Sequence, residues 1–193
     1  MEIFVKILQS QESGYSGSRP NQRGKYILVP QKCWPFFPDL KEERFNDFKA
    51  IVLTLPNGDR YAVNYHFNNA RYHLDHLPGH TRAHNEKRIY RSNAIDTALE
   101  LDRHVIVVLG KFNDLDTSYL CCSVSSLQRD YKTIRNKLGR NNVYYGNETF
   151  LKGTEAYDFI YGNGIQSESS YSQVLNLEEH QQASLDLAKK IVA

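Results

Sequence analysis

Ten consecutive residues, Arg82-Ala83-His84-Asn85-Glu86-Lys87-Arg88-Ile89-Tyr90-Arg91, gather four side-chain types able to read the edges of DNA bases. Arg or Lys can donate a pair of hydrogen bonds to guanine, Asn can bond adenine, and Glu can accept from the cytosine amino group. Glu86 is the informative member. Phosphate binding is driven by positive charge and gains nothing from a carboxylate, whereas the cytosine amino group is satisfied only by an acceptor. If the segment is extended, Glu86 and Arg88 share one face and Lys87 points the other way, where it would meet phosphate. The same composition also makes an ordinary solvated charged strand, so this run alone leaves both readings open.

Three other constellations suggest different chemistry. His73, His76, His80 and His84 have metal-like spacing, but Pro78-Gly79 keeps them off a common helical face and no cysteine lies among them. They read as polar loop histidines. His84-Asn85 lacks the second half of an HNH nuclease motif. Pro38-Asp39 followed by Asp47-Phe48-Lys49 matches the acid-and-lysine pattern of a magnesium nuclease. Such a site needs both carboxylates on neighbouring strands, and the short segment between the two halves leaves little room for that hairpin. Cys121 and Cys122 would need an activated thiolate to act as nucleophiles; in an apolar strand they read as buried. There is no glycine-rich phosphate loop, which argues against an ATPase or dinucleotide enzyme.

The elements that must position these residues come from a chain of 193 residues, about one domain. It is 40% hydrophobic and 12% aromatic, enough for a packed core. No apolar run is long enough to span a bilayer, and Met1 to Lys6 alternates like a strand rather than a signal peptide. Three cysteines without a C-x-x-C pair suit a reducing cytoplasm. Net charge is only +2, yet residues 10–25 carry +2 and residues 71–91 carry +3, so the rest of the chain is net acidic. Two basic segments on an acidic body form an electrostatic footprint with a location.

Seven segments read as strands by alternation and β-branched or aromatic content: 2–8, 25–29, 48–55, 60–67, 87–91, 104–112 and 119–124. Pro56-Asn57-Gly58-Asp59 is a hairpin turn between the third and fourth, and the last two pair across Asn113-Asp114. The aromatics of Cys33-Trp34-Pro35-Phe36-Phe37-Pro38 plug one end of a core. Ala94 to Leu101 forms a short helix. Ser125-Ser126 offer an N-cap for a helix through Leu138, closed by Gly139. Residues 140–170 have no clear reading. Leu175 to Ile191 is a further helix that runs to the chain end without a stop signal, as if leading into a longer protein. Many strands and few β-α-β units argue for an α+β fold on a barrel-like antiparallel sheet. The polar loop from Ser10 to Gly24 and the segment 68–85 both lie between strands, where binding residues are commonly carried.

Taken in order, these pieces resemble the N-terminal effector domain of EcoRII-type restriction endonucleases. Asn85-Glu86-Lys87-Arg88-Ile89-Tyr90-Arg91 is similar to the second DNA-contacting arm of that domain. Val5-Lys6-Ile7-Leu8, the loop with Gly14 and Gly17, and Tyr26-Ile27-Leu28-Val29-Pro30 look like its first arm and flanking strands. Phe37-Pro38 and the strand before Asn68 follow in the same order, and the resemblance covers about residues 3–112.

The resemblance implies an α+β fold, a seven-stranded, antiparallel-rich β pseudobarrel with flanking helices, related to plant transcription-factor DNA-binding domains. It implies one domain over 1–193, with 140–193 an appendage leading to a catalytic domain absent from the chain. Two arms would dock into the major groove. The first supplies Ser10, Gln11, Glu12, Ser13, Gly14, Tyr15, Arg19 and Arg23. The second supplies Arg71, Arg82, His84, Asn85, Glu86, Lys87, Arg88 and Arg91. His84 stands where the relative has an arginine, and Tyr72 to Arg82 is longer and richer in histidine. The implied partner is double-stranded DNA with a CCWGG-like site, bound by a monomer in the bacterial cytoplasm without membrane attachment. No catalytic residue, metal ligand or cofactor is implied for this domain. Magnesium would serve only a covalently linked nuclease domain. From the residues alone, a small metal-dependent nuclease and an RNA- or protein-binding barrel stay open as alternatives.

Overall fold

Residues 3–7 are almost wholly buried, with side chains packed on both faces of their strand. In the computed structural model, which describes residues 1–13, 15–16, 19–20, 25–69, 85–111 and 117–162, that strand is β1 (Glu2–Ile7). It pairs antiparallel with β8 (Ile106–Lys111) on one edge and with β10 (Val143–Asn147) on the other. The intervening strands are β4 (Tyr26–Val29), β5 (Phe48–Thr54), β6 (Arg60–Asn68), β7 (Glu86–Tyr90) and β9 (Ser118–Val124). They complete one eight-stranded sheet in the order β10-β1-β8-β9-β5-β6-β7-β4. A separate two-stranded ribbon joins β2 (Tyr15–Ser16) to β3 (Arg19–Pro20).

All seven expected strands are present, with ends moved by one or two residues. The expected seven-stranded, antiparallel sheet needs two corrections. β10 is an eighth member, and β5 pairs parallel with β9, Val52 lying opposite Ser118. The sheet is therefore mixed. Its edge strands, β4 and β10, are not bonded to each other. The 3-10 helix η1 (Gln31–Phe36) packs against β1, β7 and β10, and its Phe36, with Phe37 beyond it, enters an aromatic cluster with Phe4, Tyr65 and Tyr119. This is the expected aromatic plug. The β5–β6 hairpin also matches: Gly58 has φ +86°, and the Gly58 N–H donates to the Leu55 carbonyl at 2.9 Å.

The sheet has two cores. Inside its curl, Phe4, Ile51, Leu53, Tyr65, Phe67, Ile89, Val107 and Leu109 pack with η1 and with Ile95 and Leu99 at the helix α1 (Asn93–Ala98). Outside it, Ile3, Val5, Ile106, Val108 and Leu120 are covered by α2 (Asp130–Leu138) and by a helix at residues 155–162. The latter approaches so closely that a Cβ on Gly110 would lie 2.7 Å from Ile160 Cγ2. The α2 helix starts at Asp130, four residues beyond the expected Ser125-Ser126 cap, with Arg129 at its N-cap. Ser125 and Gln128 instead close a turn, the Ser125 N–H donating to Gln128 Oε1 at 2.6 Å. Gly139 ends the helix as expected, with φ +60°. The helix expected at Leu175 to Ile191 lies outside the described residues. No helix among the described residues is long and apolar enough to cross a membrane.

Candidate nucleic-acid interface

Helices cover the outer face of β1, β8 and β9, but the outer face of β5, β6, β7 and β4 is built of different residues. Alternation sends Ile51, Val63, Tyr65, Phe67, Lys87 and Ile89 inward. Strand register then aligns the outward set. Arg88 lies opposite His66 on one side and Leu28 on the other, Tyr90 opposite Asn64 and Tyr26, and Glu86 opposite Asn68. Phe48, 57% exposed, stacks on His66 at 6.1 Å, and His66 meets Tyr90 edge-on at 5.6 Å. The result is a polar and aromatic face centred on β7.

Both basic segments are rooted beside this face. The chain leaves β6 at Asn68 and enters β7 at Glu86, directly opposite. The other segment enters β4 at Tyr26, which pairs with Tyr90 at the far end of β7. Four residue steps of strand separate the two roots, roughly 13 Å at strand rise. That is close to the width of about 12 Å of the DNA major groove.

Between the roots, Arg88 is held rather than free. Its Nε donates to Glu86 Oε2 at 3.0 Å and its Nη2 donates to the same oxygen. Its guanidinium carbon lies 4.1 Å from the centre of the Tyr26 ring. Burial opposes the charge, but the hydrogen bond and charge of Glu86, together with Tyr26 and Tyr90, leave the Arg88 pKa above its ordinary value. Both side chains keep part of their surface in solvent. The pair thus offers a donor and an acceptor side by side, pre-oriented by an aromatic ring.

Four residues expected to touch DNA, Lys87, Glu12, Arg91 and Ser13, are instead part of the interior, which corrects their assignment. Lys87 does oppose Glu86 and Arg88, but it turns into the barrel, its ammonium 4.4 Å from the Trp34 ring centre. Glu12 is fully buried and pairs with Lys6 at 3.2 Å. Arg91 is buried against Asp96 at 2.9 Å and donates to the Glu12 carbonyl at 2.6 Å. Ser13 is buried too, its hydroxyl donating to the Ser10 carbonyl at 2.9 Å. Ser10 and Gln11 are exposed at the start of the first arm, and Asn85 is half-buried beside Glu86. Tyr15 and Arg19 lie in the two-stranded ribbon, at its two pairs with Pro20 and Ser16. Gly14, Arg23, Arg71, Arg82 and His84 lie outside the described residues, as do His73, His76 and His80.

Reasoning from sequence did not single out Phe48, Asn64, His66 or Tyr90. Alternation along β5, β6 and β7 marks them as outward residues, but only the register places them around Arg88.

The remaining chemical candidates have local roles. Asp47 accepts the Lys41 N–H at 2.7 Å and so closes a turn. Among the described residues, no three His, Cys, Asp or Glu side chains gather as a metal-holding group. Cys33, Cys121 and Cys122 are buried free thiols, and burial pushes the Cys122 pKa up to about 12, the reverse of nucleophile activation.

No protein-family model matches the chain, and no curated protein matches it in sequence. Among solved structures it is similar to the N-terminal domain of Helicobacter pylori LlaJI.R1, at 10% identity and a TM-score of 0.47, over 76% of this chain and 98% of that one. It is also similar to the B3 domain of the UbaLAI restriction endonuclease, solved with cognate DNA, at 15% identity and a TM-score of 0.45. That match covers 75% of this chain and 86% of the other.

Proposed function

We propose that this chain is a sequence-specific duplex-DNA-binding module, the effector domain of a type II restriction endonuclease. One observation carries the reading: two basic segments rooted about a groove width apart, with a pre-oriented, partly exposed arginine–glutamate pair on the outer sheet face between them. Phosphate contacts from the arms would set register, and base-edge contacts from the pair would select sequence. The resemblance of residues 85–91 to the EcoRII-type second arm supports a CCWGG-like target read in the major groove. In this reading the module is a non-catalytic monomer in the bacterial cytoplasm. Magnesium chemistry belongs to a nuclease domain joined to it in the full-length protein.

The test is a mobility-shift competition in moderate salt between a CCWGG duplex, scrambled duplexes and single strands. The expected result is metal-independent binding that prefers the CCWGG duplex. Equal competition by every duplex would remove the sequence-specific reading, and preference for single strands would favour an RNA-binding barrel. Magnesium-dependent plasmid cleavage abolished by Asp47→Asn would replace the module with a nuclease.

A further inference from the structure

Base reading leaves one group of charges unused. Lys6, Glu12, Arg91 and Asp96 are all buried, although charged side chains are rarely so placed unless paired. They form one connected chain. The Glu12 carboxylate, 3.2 Å from Lys6 Nζ, accepts the Gln9 N–H at 2.9 Å and the Leu28 N–H at 2.7 Å. Its carbonyl accepts from Arg91 Nη2 at 2.6 Å and from the Tyr26 N–H at 3.3 Å. Arg91 Nη1 then meets Asp96 at 2.9 Å, and Asp96 also holds Lys25 at 3.1 Å.

The placement of these bonds is the informative part. Glu12 ties the outgoing root of the first arm to its returning root, through Leu28 and Tyr26 on β4. Arg91 ties the same point to the residue after β7, the strand that carries Glu86 and Arg88. A buried ion pair is weak support for stability, because well-packed apolar residues often serve as well or better. What such a pair supplies here is fixed geometry between two segments that are 79 residues apart in sequence.

We propose that Glu12 and Arg91 are positioning residues: they set the first arm against β7 so that both arms and the Arg88–Glu86 pair engage one duplex in a single register. This rests on the DNA-binding reading above. Neither residue needs to touch DNA. Loss of the link should therefore spare phosphate binding, which tolerates many arm positions, and reduce sequence selection, which tolerates few.

The test uses the full chain, a randomised duplex pool and sequencing of the bound fraction. Two variants are compared with the parent: Lys6→Met combined with Glu12→Met, which removes the carboxylate that accepts the Gln9 and Leu28 N–H groups at similar volume, and Arg91→Lys, which keeps the charge but loses the reach and fork of the guanidinium. Both should keep the near-UV circular dichroism of the parent, its average pool affinity and its salt dependence. Enrichment of the best sequence should fall by about tenfold or more. Folded variants that enrich as the parent does would overturn the positioning role. So would a uniform loss of affinity for all duplexes. Amide exchange in the parent gives a second reading that needs no substitution. The Gln9 and Leu28 N–H groups should exchange more slowly once the enriched duplex is added, and unchanged exchange would count against the proposal. A pool from which the parent enriches nothing defeats the DNA-binding reading itself, a different outcome from retained enrichment in the variants.

Discussion

The ammonium of Lys87 lies 4.4 Å from the centre of the Trp34 ring and 5.0 Å from that of Phe67, inside the barrel. A lysine placed by sequence on a DNA-binding strand is thus a cation over two aromatic faces. Burial depresses its pKa, opposed by Asp39 and Glu42. The sign of the linkage follows. Between the lowered folded value and the unfolded value the unfolded chain binds more protons, so stability rises with pH through that window.

Lys87→Met should therefore raise the melting temperature at neutral pH, by about 2–4 °C for each kcal/mol in a chain of this size. The advantage should shrink as pH approaches the unfolded lysine value, because the parent sheds its buried charge there. Paired thermal melts from pH 7 to 10 check this. Salt titrations of DNA binding check the companion expectation, an unchanged slope. A slope smaller by about one phosphate would restore Lys87 to the interface.

Gly110→Ala tests the covering of the other sheet face. The new methyl would lie 2.7 Å from Ile160 Cγ2 and 3.1 Å from Cδ1. Overpacking of this kind costs about 1–3 kcal/mol, and trimming the partner in Gly110→Ala/Ile160→Val should recover part of it. Denaturant unfolding of the two variants measures both effects. A neutral Gly110→Ala would mean that the helix at 155–162 is not seated on β8 as described.

β6 and β7 were legible because their side chains obey a period of two, β1, β8 and β9 because they are mostly apolar runs, rich in β-branched residues in β1 and β8, and the Asn57-Gly58 turn because its backbone needs the positive φ that glycine gives. β10 was not legible: its five residues, Val-Tyr-Tyr-Gly-Asn, end in glycine and asparagine and carry little apolar contrast. A trace of it was available in β1, whose unbroken run from Ile3 to Ile7 includes a lysine and still needed partners on both edges. The parallel β5–β9 pair had no local signature at all. Within the site, alternation separated Glu86 and Arg88 from Lys87 correctly, but it cannot distinguish a solvent face from a barrel interior. Lys87 was misplaced for that reason; Glu12, in the turn after β1, and Arg91, just past β7, followed the arms that the resemblance implied. Each charge is matched by a partner distant in sequence, and composition does not record such partners.

The three cysteines should resist a thiol reagent such as DTNB at pH 8 in the native chain and react on unfolding in guanidinium. All are buried, and burial raises the pKa of each. A full complement of fast-reacting thiols in the folded chain would contradict the packing of β9 and η1.

Glu86 and Arg88 give the most discriminating test of the interface, because they act on each other as well as on a partner. Arg88→Ala removes the group proposed to donate to guanine and should cost about 1–3 kcal/mol of discrimination between the preferred duplex and its single-base variants. Glu86→Gln should relax selection at one base pair while raising affinity for unrelated duplexes, since a negative charge leaves a surface that faces phosphate. It also frees the Arg88 guanidinium from the carboxylate that orients it. The double variant should therefore lose less than the sum of the two single changes, with a coupling of about 0.5–3 kcal/mol. Affinities for preferred and variant duplexes at several salt concentrations supply every term of the cycle. If both single variants weaken all duplexes in parallel and their effects simply add, the pair is a surface ion pair that holds phosphate. Sequence selection would then have to come from elsewhere on the arms.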